Sequence, residues 1–241
     1  MDWFFVNLVV ILAFAAFVQS ATGFGLALVG ISLLPLIMPV DQGIALVSVF
    51  NLFVTLAVMA FNRAGFQLRL ALPLIIGMML GIPIGYFGLR AMDADWVIRT
   101  LGIVLILIAL SEFSGKRLRS ISLPERSAIP IGIAGGILGG AFNVGGPPMV
   151  VYTYSQNWSK TQAVVVLQSA FLAGGLTRNS LMIANGEYTV ELFKMIGIAA
   201  IPAIFGIWIG KKTLDRFPQQ MLKKVVFAMI FVIGIRYLLL G

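Results

Sequence analysis

The stretch GGAFNVGGPPMVVY, residues 139–152, places an asparagine, two glycines and two prolines in the middle of an apolar run. These are the residues that most reliably end helices. The interruption decides the fold, because the chain around it is built almost wholly for helices in lipid. Of 241 residues, 60% are hydrophobic and 11% charged, and the mean hydropathy is +1.02. That composition is the one expected of a polytopic membrane protein. The first apolar run begins Met1-Asp2-Trp3, without the basic flank and small-residue cleavage site of a secretory leader, so it is expected to be a retained span.

Apolar windows run roughly over 3–18, 24–39, 43–62, 70–89 and 96–112, and after the polar stretch SGKRLRSISLPERS over 128–142, 147–158, 162–183, 191–210 and 221–240. The expected class is therefore all-α, with five elements (1–112), a basic linker (113–127) and five more (128–241). The halves resemble each other at an offset of about 120 residues, FGLRAMD (87–93) lying over IGKKTLD (209–215). An odd number of elements per half starts the second half from the opposite side of the membrane. Matching loops should then carry opposite charge, and they do. Arg63 and Arg69 correspond to Glu187 and Glu191; Asp93 and Asp95, against one Arg90, to Lys211, Lys212 and Arg216 around Asp215; and Asp41 to Lys160. Placing Lys116, Arg117, Arg119 and Arg126 in the cytoplasm, by the positive-inside rule, puts both termini outside the cell membrane. The +8 net charge is explained by these loops, with no nucleic-acid partner required.

The two halves also share an interruption. QSATGFG (19–25) and NVGGPP (143–148) stand at the same place in each repeat. With flanking elements of only about 11 to 16 residues, each pair is expected to form a broken hairpin dipping towards mid-membrane. Non-helical backbone at that depth must line protein or a wet cavity. A helix restarting after such a break offers unpaired N–H groups and its positive dipole end to an anion. The residues expected to bind a substrate where the two breaks meet are Gln19, Ser20, Thr22, Gly23 and Gly25 from the first, and Asn143, Gly145, Gly146 and Pro147 from the second. Asn51 joins them on a polar face with Ser48 and Thr55, and Gln168 on the corresponding later face with Gly175 and Asn179. For the single residues of these faces, hydrogen bonding between helices is an equal alternative. Arg178 lies within an apolar segment and either faces a cavity, where guanidinium suits a sulfonate or carboxylate, or snorkels to the outer interface.

Cysteine and histidine are absent from the sequence, which removes disulfides, thiolate and imidazole metal sites and His-based catalysis. No carboxylate falls near mid-membrane, which disfavours a proton relay. No cofactor, metal or enzymatic activity is expected. Transport of another anion or of a cation, an intramembrane enzyme, and a scaffold without transport are the alternatives.

The motifs FVQSATGFGLALV near the start and GGILGGAFNVGGPPMVVY opening the second half, with the repeat around a basic linker, resemble the TauE/SafE family of sulfite exporters and sulfonate permeases. The resemblance covers nearly the whole chain. It implies a transporter of small sulfur-containing anions in a bacterial-type inner membrane, whose members differ in substrate and direction; alternating access is expected from the paired repeats, and export from an inside-negative potential that favours anion efflux. It carries over Gln19, Thr22, Gly23, Gly25, Asn143, Gly145, Gly146 and Pro147; Asn51 and Arg178 rest on the reading of the residues alone. The expected partners are the substrate anion and the bilayer, and the sequence leaves a homodimer open.

Overall fold

The computed structural model describes residues 3–22, 25–61, 68–113, 123–213 and 219–240. The described residues form ten α-helices and no strand: α1 (Trp3–Thr22), α2 (Leu26–Leu33), α3 (Val40–Phe61), α4 (Leu68–Arg90), α5 (Ala94–Phe113), α6 (Ala128–Phe142), α7 (Gly146–Ser155), α8 (Lys160–Ala184), α9 (Val190–Thr213) and α10 (Gln219–Leu240). Short 3₁₀ turns follow α2 at Leu34–Leu36 and precede α6 at Glu125–Ser127. Among the described residues four helices are long and apolar enough to cross a membrane: Trp3–Ser20, Leu68–Arg90, Ala94–Phe113 and Val190–Gly210. The residues Gly23, Arg63, Lys116, Arg117, Arg119, Asp215 and Arg216, used above for the site and the charge pattern, lie outside the described residues.

Both interruptions are real, but the first is shorter than expected. With 20 residues, α1 is about 30 Å long, enough to match the hydrocarbon core. Gln19, Ser20 and Thr22 belong to this helix rather than to the break. The expectation of four short elements therefore fails for α1. It fails because polar residues near a helix end were taken for the end itself. The other three elements are short. Residues 26–36 reach about 17 Å, α6 about 22 Å and α7 about 15 Å.

The helices sort into two compact units, each drawing on both halves of the chain. One contains α1, α2, the start of α3 as far as Val47, α5, α9 and α10; the other contains the rest of α3 with α4, α6, α7 and α8. In the first, α9 lies so close to α1 that a Cβ on Gly206 would strike the Ala13 carbonyl, and one on Gly210 would come within 2.6 Å of the Phe17 carbonyl oxygen. The α5 and α10 helices cross at Gly102 and Gly234 in the same manner. Without a hydrophobic drive between helices in lipid, such close backbone approach is what small residues contribute. The Tyr237 hydroxyl of α10 also donates to the Ser32 carbonyl of α2 at 2.7 Å.

The second unit is organised by α4, whose three faces can be read at four-residue spacing. Gly77, Gly81 and Gly85 meet Gly132, Gly136 and Gly140 of α6 with backbone against backbone. A Cβ on any of the six would run into a carbonyl of the partner helix. Leu74, Met78, Ile82 and Tyr86 form the next face, buried, with Leu74, Met78 and Ile82 in a core shared with Met149 and Tyr152 of α7 and Ala170 and Phe171 of α8. Ile76, Leu80 and Ile84 are exposed, as a lipid-facing stripe would be. Glycine on one face and large aliphatic residues on another give α4 a defined orientation that its overall hydrophobicity alone would not.

Candidate functional site

The second interruption lies wholly within the second unit. The α6 helix ends because Asn143 adopts φ 60° and ψ 20°, the one positive φ at a non-glycine residue among the described residues. Asparagine tolerates this left-handed conformation better than other residues with a side chain. Its N–H donates to the Gly139 carbonyl at 2.9 Å, and the Val144 N–H to the Leu138 carbonyl at 3.3 Å. The backbone then restarts as α7 at Gly146, with Gly145 as N-cap and Pro147 in the first turn. A glycine cap has no side chain to satisfy the first amides of the helix. Pro147 and Pro148 bring no N–H, so the positive end of α7 presents the amides of Gly145 and Gly146 together with the dipole.

Arg178 converges on the same place from α8. It is only 3% exposed, so it does not snorkel. Its Nη1 donates to the Gly139 carbonyl at 3.1 Å, the same oxygen that accepts from the Asn143 amide. Its guanidinium carbon lies 5.7 Å from the centroid of the Tyr86 ring. Among the described residues no carboxylate pairs with it, and its Nε is buried without a partner. The Asn143 side chain is 9% exposed, and its Nδ2 is likewise buried without a partner. A buried cation compensated by only a carbonyl and an aromatic ring is costly. Charge-assisted bonding to an anion would remove that cost. The cluster is donor-rich and acid-free, the chemistry of an anion site.

Met78 of α4 completes the surroundings. A Cβ on Gly174 would meet its Cε at 2.5 Å, one on Gly145 at 3.1 Å and one on Gly139 at 3.3 Å. Its flexible thioether tip therefore fills a hollow walled by glycines from α6, the break and α8. Neither Met78 nor Tyr86 was singled out from the sequence. The available signal was the spacing of Met78, Ile82 and Tyr86 on one face of α4.

The remaining expected residues fall elsewhere. Gln168 is buried on α8, about ten residues or 15 Å along the axis from Arg178. Asn179 donates to Gly175 within its own helix at 2.7 Å, as Ser169 does to Val165. On α3, Asn51 is half-buried, while the Ser48 and Thr55 hydroxyls are buried without partners. The residues of the first break belong to the first unit. There the Gln19 side chain reaches across the break, its Oε1 accepting the Leu26 N–H at 3.0 Å, so the first amide of α2 is already satisfied. The Ser20 hydroxyl donates to the Ile207 carbonyl of α9 at 2.8 Å. Gly25 sits at φ 127° and ψ −13°, a conformation that favours glycine. The two breaks are thus chemically unlike: the first is closed by a side-chain amide, and the second leaves its amides uncapped.

The family model described as "Sulfite exporter TauE/SafE" matches residues 8–237. A "Probable sulfite/organosulfonate exporter TauE" of Cupriavidus necator is 24% identical over 240 residues, covering 93% of this chain and 90% of that protein. No solved structure gives a significant match. With nearly its whole length matched, and with the long apolar helices described above, the chain belongs to the TauE/SafE family and is a multi-pass membrane protein of a transporter family, not an enzyme.

Proposed function

We propose that the protein exports small sulfur-containing anions, such as sulfite or sulfonates, across the cell membrane by alternating access. The observation that carries this reading is the Arg178 guanidinium, buried among the described residues without a carboxylate and anchored beside the unpartnered side-chain Nδ2 of Asn143 and the uncapped start of α7. A donor cluster of this kind suits an oxyanion and repels a cation. The relative in Cupriavidus necator supports the sulfur chemistry.

Two inverted repeats, 1–112 and 128–241 about a basic linker, are supported by the reversed loop charges and by reciprocal pairing. The fourth helix of the first half, α4, packs on the first of the second, α6, while α9 packs on α1. In this arrangement both termini lie outside. The second break supplies the charge, through Asn143, Gly145, Gly146, Pro147 and Arg178. Further candidates for contact with the anion are Gln19, Ser20 and Thr22 at the end of α1 with Gly23 and Gly25 after it in the first unit, and the half-buried Asn51 and buried Gln168 in the second. Export needs no coupled ion, because an inside-negative potential of 100 mV favours anion efflux by about 2.3 kcal/mol per charge, roughly 50-fold.

The test is purified protein in liposomes under a set potential, assayed with sulfite, sulfoacetate, taurine and sulfate, beside the Arg178→Gln variant. Flux of a sulfur anion that follows the potential and is lost in Arg178→Gln is expected. Absence of flux for every sulfur anion, or undiminished flux in the variant, would overturn the proposal.

A further inference from the structure

The Tyr86 ring is shared by two cations. Arg178 lies 5.7 Å from its centroid, and Arg90, one turn further along α4, lies 5.1 Å from it. Arg90 is exposed at the end of α4 while Tyr86 and Arg178 are buried. The Arg90 Nη1 donates to the Tyr86 hydroxyl at 2.6 Å, and that hydroxyl faces the Leu181 carbonyl of α8 at 3.4 Å. The phenol thus ties the end of α4 to α8 and leads from an exposed guanidinium to a buried one. Two like charges do not gather at one ring for stability alone, since they repel each other; the negative face of the ring offsets part of that. Conduction requires sites favourable enough to enter and weak enough to leave, which adjacent sites in series provide.

We propose that Arg90 is a second anion-binding residue, to which the substrate passes from Arg178 at the mouth of the pathway, and that Tyr86 is the positioning residue holding both guanidinium groups. The proposal rests on the transport reading above. An anion handed from one guanidinium to the next keeps a compensating charge throughout its exit. Arg90 stands beside Asp93 and Asp95, on the side that the loop charges assign to the exterior.

The experiment compares wild type, Arg90→Gln, Arg90→Lys and Tyr86→Phe in proteoliposomes. Sulfite flux is measured across sulfite concentration and ionic strength, and the sulfite-dependent rise in melting temperature is recorded in parallel as a readout of the buried site. Arg90→Gln is expected to lower flux about ten-fold at low sulfite and to flatten its dependence on ionic strength. The melting shift should persist, and Arg90→Lys should recover most of the flux. Tyr86→Phe keeps the ring but removes the hydroxyl that accepts from Arg90, and should show a smaller loss of flux, again with the melting shift intact. Wild-type flux in Arg90→Gln, or loss of the melting shift in that variant, overturns the proposal and leaves the transport reading standing. A wild-type protein with neither flux nor a melting shift overturns both.

Discussion

Gly146 separates a close backbone contact with substrate from a merely structural glycine. A Cβ added there would find only the Phe171 ring edge, at 3.6 Å, an ordinary van der Waals distance. The residue opens α7 and has no positive φ. Gly146→Ala should therefore fold well and gain about 0.4–1 kcal/mol, since alanine removes disorder from the unfolded chain. If the Gly146 amide bonds the substrate anion, the new methyl group holds that anion away. Losing a hydrogen bond to a charged group costs about 1.5–3 kcal/mol, which is roughly ten- to 150-fold in affinity. The variant would be at least as stable as the wild type but a far weaker sulfite transporter. Gly136→Ala is the contrast, because its Cβ would strike the Met78 carbonyl across the α4–α6 contact and should destabilise by about 1–3 kcal/mol. Gly88→Ala, inside α4 with nothing within 4 Å, is the control: it should gain about 0.5–1 kcal/mol in stability and leave flux unchanged. Thermal melting in detergent and sulfite flux in liposomes read the two properties separately. Unchanged flux and affinity in a stable Gly146→Ala protein would refute the idea that substrate touches the start of α7.

Two further substitutions test the caps of α2 and α8. Gln19→Ala strips the acceptor from the Leu26 N–H and should cost about 1–3 kcal/mol, seen as a lower melting temperature; Gln19→Glu keeps an acceptor and should recover most of it. At the start of α8, Ser159 and Gln162 form a reciprocal capping box. Ser159→Ala should cost about 1 kcal/mol in melting experiments while leaving the affinity for sulfite unchanged.

Much of the helical layout was legible because lipid imposes a simple rule: apolar runs of sufficient length become helices, and glycine with proline ends them. The window at 128–142 matches α6, and those at 43–62 and 70–89 fall within two or three residues of α3 and α4. The break read at Asn143–Pro148 narrows to Asn143–Gly145, since Gly146, Pro147 and Pro148 form the first turn of α7, where proline is tolerated. The first break was misjudged at Gln19. Its polarity suggested exposed backbone, whereas the side chain folds forward from inside α1 to cap α2. Sequence records that an amide is present, not which way it reaches. Arg178 was recognised as unusual, but burial is a property of packing, and only the contact with Gly139 distinguishes a cavity-facing guanidinium from a snorkelling one. Met78 and Tyr86 escaped notice because thioethers and aromatic rings in an apolar helix resemble ordinary filling. Their importance arises from glycines on other helices that leave room for one and from arginines that approach the other.

The six glycines that join α4 to α6 leave no side chains between the two backbones, and so no rotamers to rearrange. Sliding one helix along the other by a single residue would drive isoleucine or leucine into spaces that admit only hydrogen. The two helices are therefore locked in register like the teeth of a closed zip, and any change of shape in this unit has to bend at its margins. Beside this contact the flexible tip of Met78 rests among Gly139, Gly145 and Gly174. There a swing of one thioether can open or fill a hollow while the paired helices behind it stay still.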